Sequence, residues 1–347
     1  MKHLVLAVIV TSWVCGGLTC RSVAQGQDQI YPLRGSPVAG RIIDTSPDEV
    51  TIDVRGSTRS VPVNEIRRIG FAEDPPELRR ARDDINAGQW ENSLEALSRI
   101  NPKGIVRDPV RRDLQYYVAY CQGKLALTGG GDKAAAEATL RELVRQDPKT
   151  YHFYESAELL GDLAMALENY ENALRYFGAI GRAPWPDYRI RSALREARVF
   201  VAQGKYAEAT GKYDGVLASS LDTSEATKQK LIAQVGKAIC LAETGKHEEG
   251  IKIVEDIIAK DDPQDQELFG LAYNALGRCH LRAKQPKQAI LAYLHVDQLF
   301  FSVPDIHAEA LYYLSKLWVD VNKSDRAAAA RNLLRERYAG SVWAKRN

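Results

Sequence analysis

One pattern constrains this chain more than any other. From Ser93 onward a small residue is followed, four places later, by a larger one, again and again. The pairs are Ser93/Leu97, Ala136/Leu140, Ala173/Phe177, Ala209/Tyr213, Gly250/Val254, Ala289/Tyr293 and Ala327/Arg331, and successive small residues stand 43, 37, 36, 41, 39 and 38 places apart. Twelve places upstream of most of them lies another small residue: Ala81, Gly161, Ala197, Ala238, Gly277 and Ser315. The second unit breaks the count. Gly129-Gly130-Gly131 looks like an insertion of about five residues there, and allowing for it Ala119 takes the place. Residues four apart share one face of a helix. Small residues on two facing helices let the axes approach, and the larger residue one turn on fills the gap beside them. Each hairpin built this way leaves an apolar face exposed, so neighbours must stack into a superhelix with a concave side.

The residues that carry this pattern resemble the tetratricopeptide family. The fullest match is Ala272-Tyr273-Asn274-Ala275-Leu276-Gly277 with Ala289 and Tyr293; Gly204-Lys205-Tyr206 with Ala209 and Tyr213 matches the turn and second helix equally well. Asp147-Pro148 and Asp262-Pro263 resemble the proline that ends each family unit. The departures are periods longer than the family's and Lys133, His247 and Pro286 where a turn aromatic is expected. The expected fold class is therefore mainly α: a tetratricopeptide-like α-solenoid of about seven helical hairpins over residues 77–347. Gly277 should mark the closest approach of its helix pair, and Gly277→Ala should be tolerated because Ala fills that place in other units.

Residues 25–74 follow a different period. Val50, Ile52 and Val54 alternate with Thr51 and Asp53, as in a half-buried strand, and Ser46-Pro47-Asp48 and Arg55-Gly56-Ser57 supply turns. Several short strands in this span resemble a small SH3-like or Sm-like β-barrel, ending at Asp74-Pro75-Pro76. So small a core would lean on the helices that follow.

Residues 1–24 have the layout of a cleavable signal peptide: Lys2 and His3, an apolar run, then Ser22-Val23-Ala24 with small residues where a signal peptidase reads. The run from Leu4 to Leu18 is 15 residues, short of the ~20 that span a bilayer; an uncleaved anchor is the alternative. The expected location is the periplasm, cell envelope or exterior. Arg337-Tyr338-Ala339-Gly340-Ser341 with Trp343-Ala344 resembles the end of repeat units in bacterial envelope members of the family. Without Lys2 and Arg21 the chain carries 45 basic and 45 acidic residues. A neutral surface offers no global attraction to nucleic acid, so none is expected as a partner, and an RNA-binding role for the barrel has only fold analogy behind it. The remaining cysteines are Cys121, Cys240 and Cys279, too few and too widely spaced for a disulfide framework. All lie two places after the small residue of a first helix, where Cys serves as a compact hydrophobe.

No catalytic constellation stands out. The chain lacks G-x-S-x-G, H-E-x-x-H and the phosphate-loop motif, and Gly129-Gly130-Gly131-Asp132-Lys133 reads as a connection. Neither metal, cofactor nor enzymatic activity is expected. The repeat register turns certain first-helix residues toward the concave side: Tyr116, Tyr120, Arg191, Arg198, Asn274, Arg278, Arg282, Tyr312 and Lys316. The resemblance implies that such a mixture holds an extended protein or peptide segment. Arginine forks favour an acidic or carboxylate-terminated one. The rival account makes these arginines internal partners of Glu155, Glu158, Asp162 and their like. The alternative function is a carbohydrate- or peptidoglycan-associated module or an accessory subunit of an envelope enzyme, which would need paired carboxylates in a cleft, with the same three acids as candidates.

Overall fold

A computed structural model describes residues 26–346, so the expected signal peptide lies outside the described residues. Five strands come first: β1 (Asp28–Pro32), β2 (Val38–Thr45), β3 (Glu49–Val54), β4 (Ser57–Pro62) and β5 (Ile66–Gly70). They form one antiparallel sheet in the order β4-β3-β2-β1-β5. The alternation in β3 is as expected: Val50 and Ile52 are fully buried. Arg55 and Gly56 both take positive φ in the β3–β4 turn, and Gly56 N–H donates to Asp53 Oδ1 at 2.7 Å.

The expected barrel does not form. β4 and β5 are the two edges of the sheet and do not pair with each other, so the sheet stays open. The reason is visible in β4, whose residues Ser57, Thr58, Arg59 and Ser60 are exposed and polar and give closure no driving force. One face alone is apolar. Its residues Ile30, Val50, Ile52, Val61 and Ile69 run into the same core as Leu78, Leu97 and Leu114 of the first helices. Helices, not a second set of strands, cover this sheet.

Seven antiparallel helix pairs follow: α1 (Pro76–Asn86) with α2 (Trp90–Ser98), α3 (Asp108–Thr128) with α4 (Lys133–Gln146), α5 (Phe153–Ala166) with α6 (Tyr170–Ile180), α7 (Pro186–Ala202) with α8 (Tyr206–Leu217), α9 (Ser224–Glu243) with α10 (His247–Lys260), α11 (Gln266–Arg282) with α12 (Pro286–Leu299), and α13 (Pro304–Asp320) with α14 (Ser324–Arg337). A short α15 (Val342–Lys345) ends the described chain. The small residues sit in the seams. Ala81, Ser93, Ala173, Ala197, Ala209, Ala238 and Ala289 are fully buried. Ser93 Oγ donates to Ala81 O at 3.3 Å, joining the two small residues of the first hairpin directly.

In six hairpins one residue of the turn is left-handed, two places before the second helix: Gly88, Glu168, Gly204, Gly245, Lys284 and Asn322. In the second hairpin it is Gly129, four places before Lys133. Relative to the other units, three of the extra residues lengthen α3 and two lengthen the turn. This turn is also where the chain meets its own far end. Lys133 Nζ donates to Gly340 O at 2.6 Å, and a Cβ on Gly340 would lie 2.4 Å from Gly129 Cα.

The apolar interior falls into blocks. The largest joins the sheet to the first three hairpins and continues into α7 at Tyr188 and Val199. A second, around Ile190, Leu194, Tyr213 and Val216, belongs to the fourth hairpin and runs along α9 as far as Cys240. A third runs from Val235 to Leu334. No helix among the described residues is long and apolar enough to cross a membrane.

Candidate functional site

The first helix of each hairpin supplies the concave side, and charged residues on successive first helices meet there. On α7, Arg195 bonds to Glu158 and reaches Asp162 at 2.8 Å, while Arg191 lies 3.5 Å from Glu158 and 4.4 Å above the Tyr188 ring. Further along, Arg278 Nε donates to Glu243 Oε1 at 2.9 Å and Arg282 Nη2 to Glu243 Oε2 at 2.6 Å. One buried carboxylate thus takes both guanidinium groups. Sequence reasoning found these arginines but missed Arg195 and Glu243. Glu243 is on the preceding hairpin, and nothing local to Arg278 announces it.

The other expected site residues divide by accessibility. Tyr116 is buried; its hydroxyl donates to Glu155 Oε2 at 2.9 Å and its ring stacks on His152 at 3.5 Å. Asn274 is buried as well, and Nδ2 donates to Ile306 O at 2.8 Å, tying the sixth hairpin to the seventh. Tyr120 is half-buried, edge-on to Trp90 with Lys124 Nζ 5.4 Å above it. Tyr312 lies between Tyr313 and Trp343, and the exposed Lys316 stands 5.7 Å from its ring. Arg198 is exposed and has no hydrogen bond or ion pair among the described residues. Burial raises the pKa of both Asp162 on α5 and Glu309 on α13, and the charge of Arg198 offsets this only in part.

A buried network that the sequence did not reveal joins the sheet to the concave side. Arg82 is shared between Asp74, just beyond β5, and Asp113 on α3. Asp113 Oδ1 also faces His152 Nε2 at 2.8 Å, and His152 Nδ1 faces Glu155 Oε2 at 3.1 Å. Burial works against charge at Asp113, but the Arg82 cation and the bond from His152 outweigh it and bring its pKa down to about 2. Burial alone would make the His152 imidazole a weaker base. The bonds to Asp113 and Glu155 reverse this and raise its pKa. The local signal was slight: His152 stands three residues before Glu155, while Asp113 is 39 residues away.

Two further bonds fix the sheet against the solenoid: Arg107 Nη2 to Asp28 Oδ2 at 3.0 Å and Tyr154 hydroxyl to Asp48 Oδ1 at 2.8 Å. They leave a cleft of about 210 Å³ lined by Asn64, Arg67 and Arg68 on the sheet side and by Tyr154, Tyr188 and Arg191 on the other. Glu155, Glu158 and Asp162 do not form a free carboxylate pair. Each is held by an internal cation or hydroxyl.

Residues 122–188 and 194–266 match the family model described as tetratricopeptide repeat. No curated protein matches the chain. Among solved structures, a tetratricopeptide repeat protein from Parabacteroides merdae is similar in fold, with 16% identity over 75% of this chain and 91% of that one and a TM-score of 0.53. PilW, a widely conserved type IV pilus biogenesis factor, overlays with 19% identity over 66% of this chain and 97% of that one at a TM-score of 0.41. NprR in complex with its cognate peptide NprX overlays with 14% identity over 75% and 77% at 0.49.

Proposed function

We propose that this chain, a tetratricopeptide-repeat protein through its helical hairpins, is a non-enzymatic scaffold that holds an extended segment of a protein partner against its concave side. The observation that supports this best is Arg198. It is an exposed cation on the inner face with no hydrogen bond or ion pair among the described residues, while its neighbours Arg191 and Arg195 are engaged by Glu158. Lys316 is likewise exposed, and Tyr120 and Tyr312 offer accessible aromatic surface. Exposed cations beside aromatic rings suit a segment carrying carboxylates, because the ring supplies contact area and the cation supplies charge. Tyr116, Asn274 and Arg278 shape the surface from below, and Arg191 and Arg282 contribute their accessible portions.

The test is paired capture from envelope extract with the wild type and with Arg198→Glu/Lys316→Glu. Loss of a protein from the variant's set, at unchanged helicity and melting temperature, is the expected result. Identical captured sets would refute the inner face as the recognition surface. Action in the cell envelope or outside the cell is part of the same proposal, and it is checked by the mass of the exported chain, with Gln25 expected as its first residue.

A further inference from the structure

The insertion Gly129–Lys133 has no counterpart in the other turns, and it meets the far end of the chain. Its glycines carry no side chain, so the backbone of Gly340 packs directly on Gly129: a Cβ on Gly340 would lie 2.5 Å from Gly129 N and 2.4 Å from its Cα. Lys133 occupies the place that Trp90, Tyr170 and Tyr206 hold at the start of other second helices. Its side chain is buried, and its ammonium donates to the Gly340 carbonyl at 2.6 Å. A buried ammonium needs a partner, and here the partner lies 207 residues away.

The segment on the other side is equally well defined. Tyr338 hydroxyl bonds to His307 Nδ1 at 2.8 Å, Ser341 N–H to Tyr338 O at 2.9 Å, and Ser341 Oγ caps α15 through Ala344 N–H. Trp343 packs on Tyr312 and Tyr313 with ring centroids 5.4 and 5.7 Å away. The C-terminal turn is therefore anchored to the seventh hairpin and presents Gly340 outward to the second.

We propose that the Gly129–Lys133 turn is a clasp for the chain's own C-terminal turn, and that the clasp closes the concave side into a ring, limiting access to its inner face. This regulates the surface assigned to the partner and rests on that reading only for its purpose. A closed ring admits an extended segment and excludes a folded domain, and a bulky body gains entry in proportion to the fraction of molecules with the clasp open.

Access is measurable without the partner. Arg198→Cys places a thiol on the inner face, and the cysteines among the described residues, Cys121, Cys240 and Cys279, are buried. Its alkylation is timed with a small maleimide and with a maleimide on a branched polyethylene glycol. Lys252→Cys, at an exposed position on α10, serves as the outer reference. In the closed protein the bulky reagent should lag at residue 198 but not at 252. Gly340→Val should abolish that lag, raising the bulky rate by about tenfold while the small reagent changes little. Lys133→Met should act in the same direction to a lesser extent. Equal bulky and small rates at residue 198 in the unmodified clasp, or a lag that survives Gly340→Val, overturns the proposal. So does loss of helicity in both clasp variants, since the contact would then belong to the core rather than to a closure. No partner enters the experiment, so its failure leaves the partner-binding test standing on its own result.

Discussion

The ring of Tyr293 lies against Gly277 so closely that a Cβ there would meet ring atoms at 2.7 Å. Tyr293 is fully buried and stacks on Tyr313 with centroids 5.0 Å apart, so it has little room to retreat. The same match recurs between Phe177 and Gly161, where the distance would be 2.2 Å. Units with Ala in the first helix pair it with smaller Leu97 or Val254, while the Tyr213 ring turns to Gly236 of the next hairpin. The expectation that Gly277→Ala is tolerated therefore does not survive: it ignored what faced the glycine. We expect Gly277→Ala to cost about 1–3 kcal/mol and Gly277→Leu more, by overpacking. Denaturant midpoints measure both, and an unchanged midpoint for Ala would mean the ring slides aside.

Reversal of Arg278 and Arg282 to Glu should lower stability. Glu243 is almost fully buried and would lose both donors and face new carboxylates. An unsatisfied buried group costs about 1–3 kcal/mol, and Glu243→Gln should relieve part of the repulsion in the double variant. Thermal melts of the three proteins check this. A double variant as stable as the wild type would show that the fork contributes nothing.

Stability should depend on pH through His152 and Asp113. The folded pKa of His152 is raised, so its contribution is complete below its ordinary value of about 6.5 and fades as pH rises through the folded value. Asp113 has the opposite sign: its contribution is present above the ordinary carboxylate pKa and is lost as pH falls toward about 2. Urea midpoints across the pH range should pass through a maximum between these limits. His152→Gln should flatten the alkaline side, and an unaltered alkaline slope would exclude His152 as its source.

Cys240 and Cys279 should stay unpaired even in an oxidising compartment, and Cys121, Cys240 and Cys279 should all react slowly. Burial pushes Cys121 and Cys279 up to about 12. Alkylation at neutral pH should track unfolding, because the thiolate is the reactive form. Peptide mapping without reductant that recovered a Cys240–Cys279 crosslink would contradict this.

The sequence made local matters legible and distant ones not. Ala81, Ser93 and Ala289 disclosed the seams because close helix approach needs small residues at fixed intervals. Gly129–Gly131 stood out as an insertion for the same reason, being an interruption of that interval. What it touches, Gly340, could not be read, because no periodicity links two points a whole superhelical turn apart. The alternation of Val50 and Ile52 exposed a strand, but whether a sheet closes depends on its edges, and the polar surface of β4 left it open. At the site, Arg278 and Arg282 were found by their spacing of four, whereas their partner Glu243 and the Asp113 beneath His152 come from other hairpins. Register along one helix is a short-range property; pairing between helices is not.

The bond from Lys133 to Gly340 has a consequence for how the chain holds together. It joins two points 207 residues apart, and every hairpin between them packs on the next. The second hairpin and the C-terminal turn are therefore connected twice, once along the stacked helices and once directly across this contact. A nick in an exposed loop between them, such as the one around Asp262, would leave both fragments held from two sides rather than one.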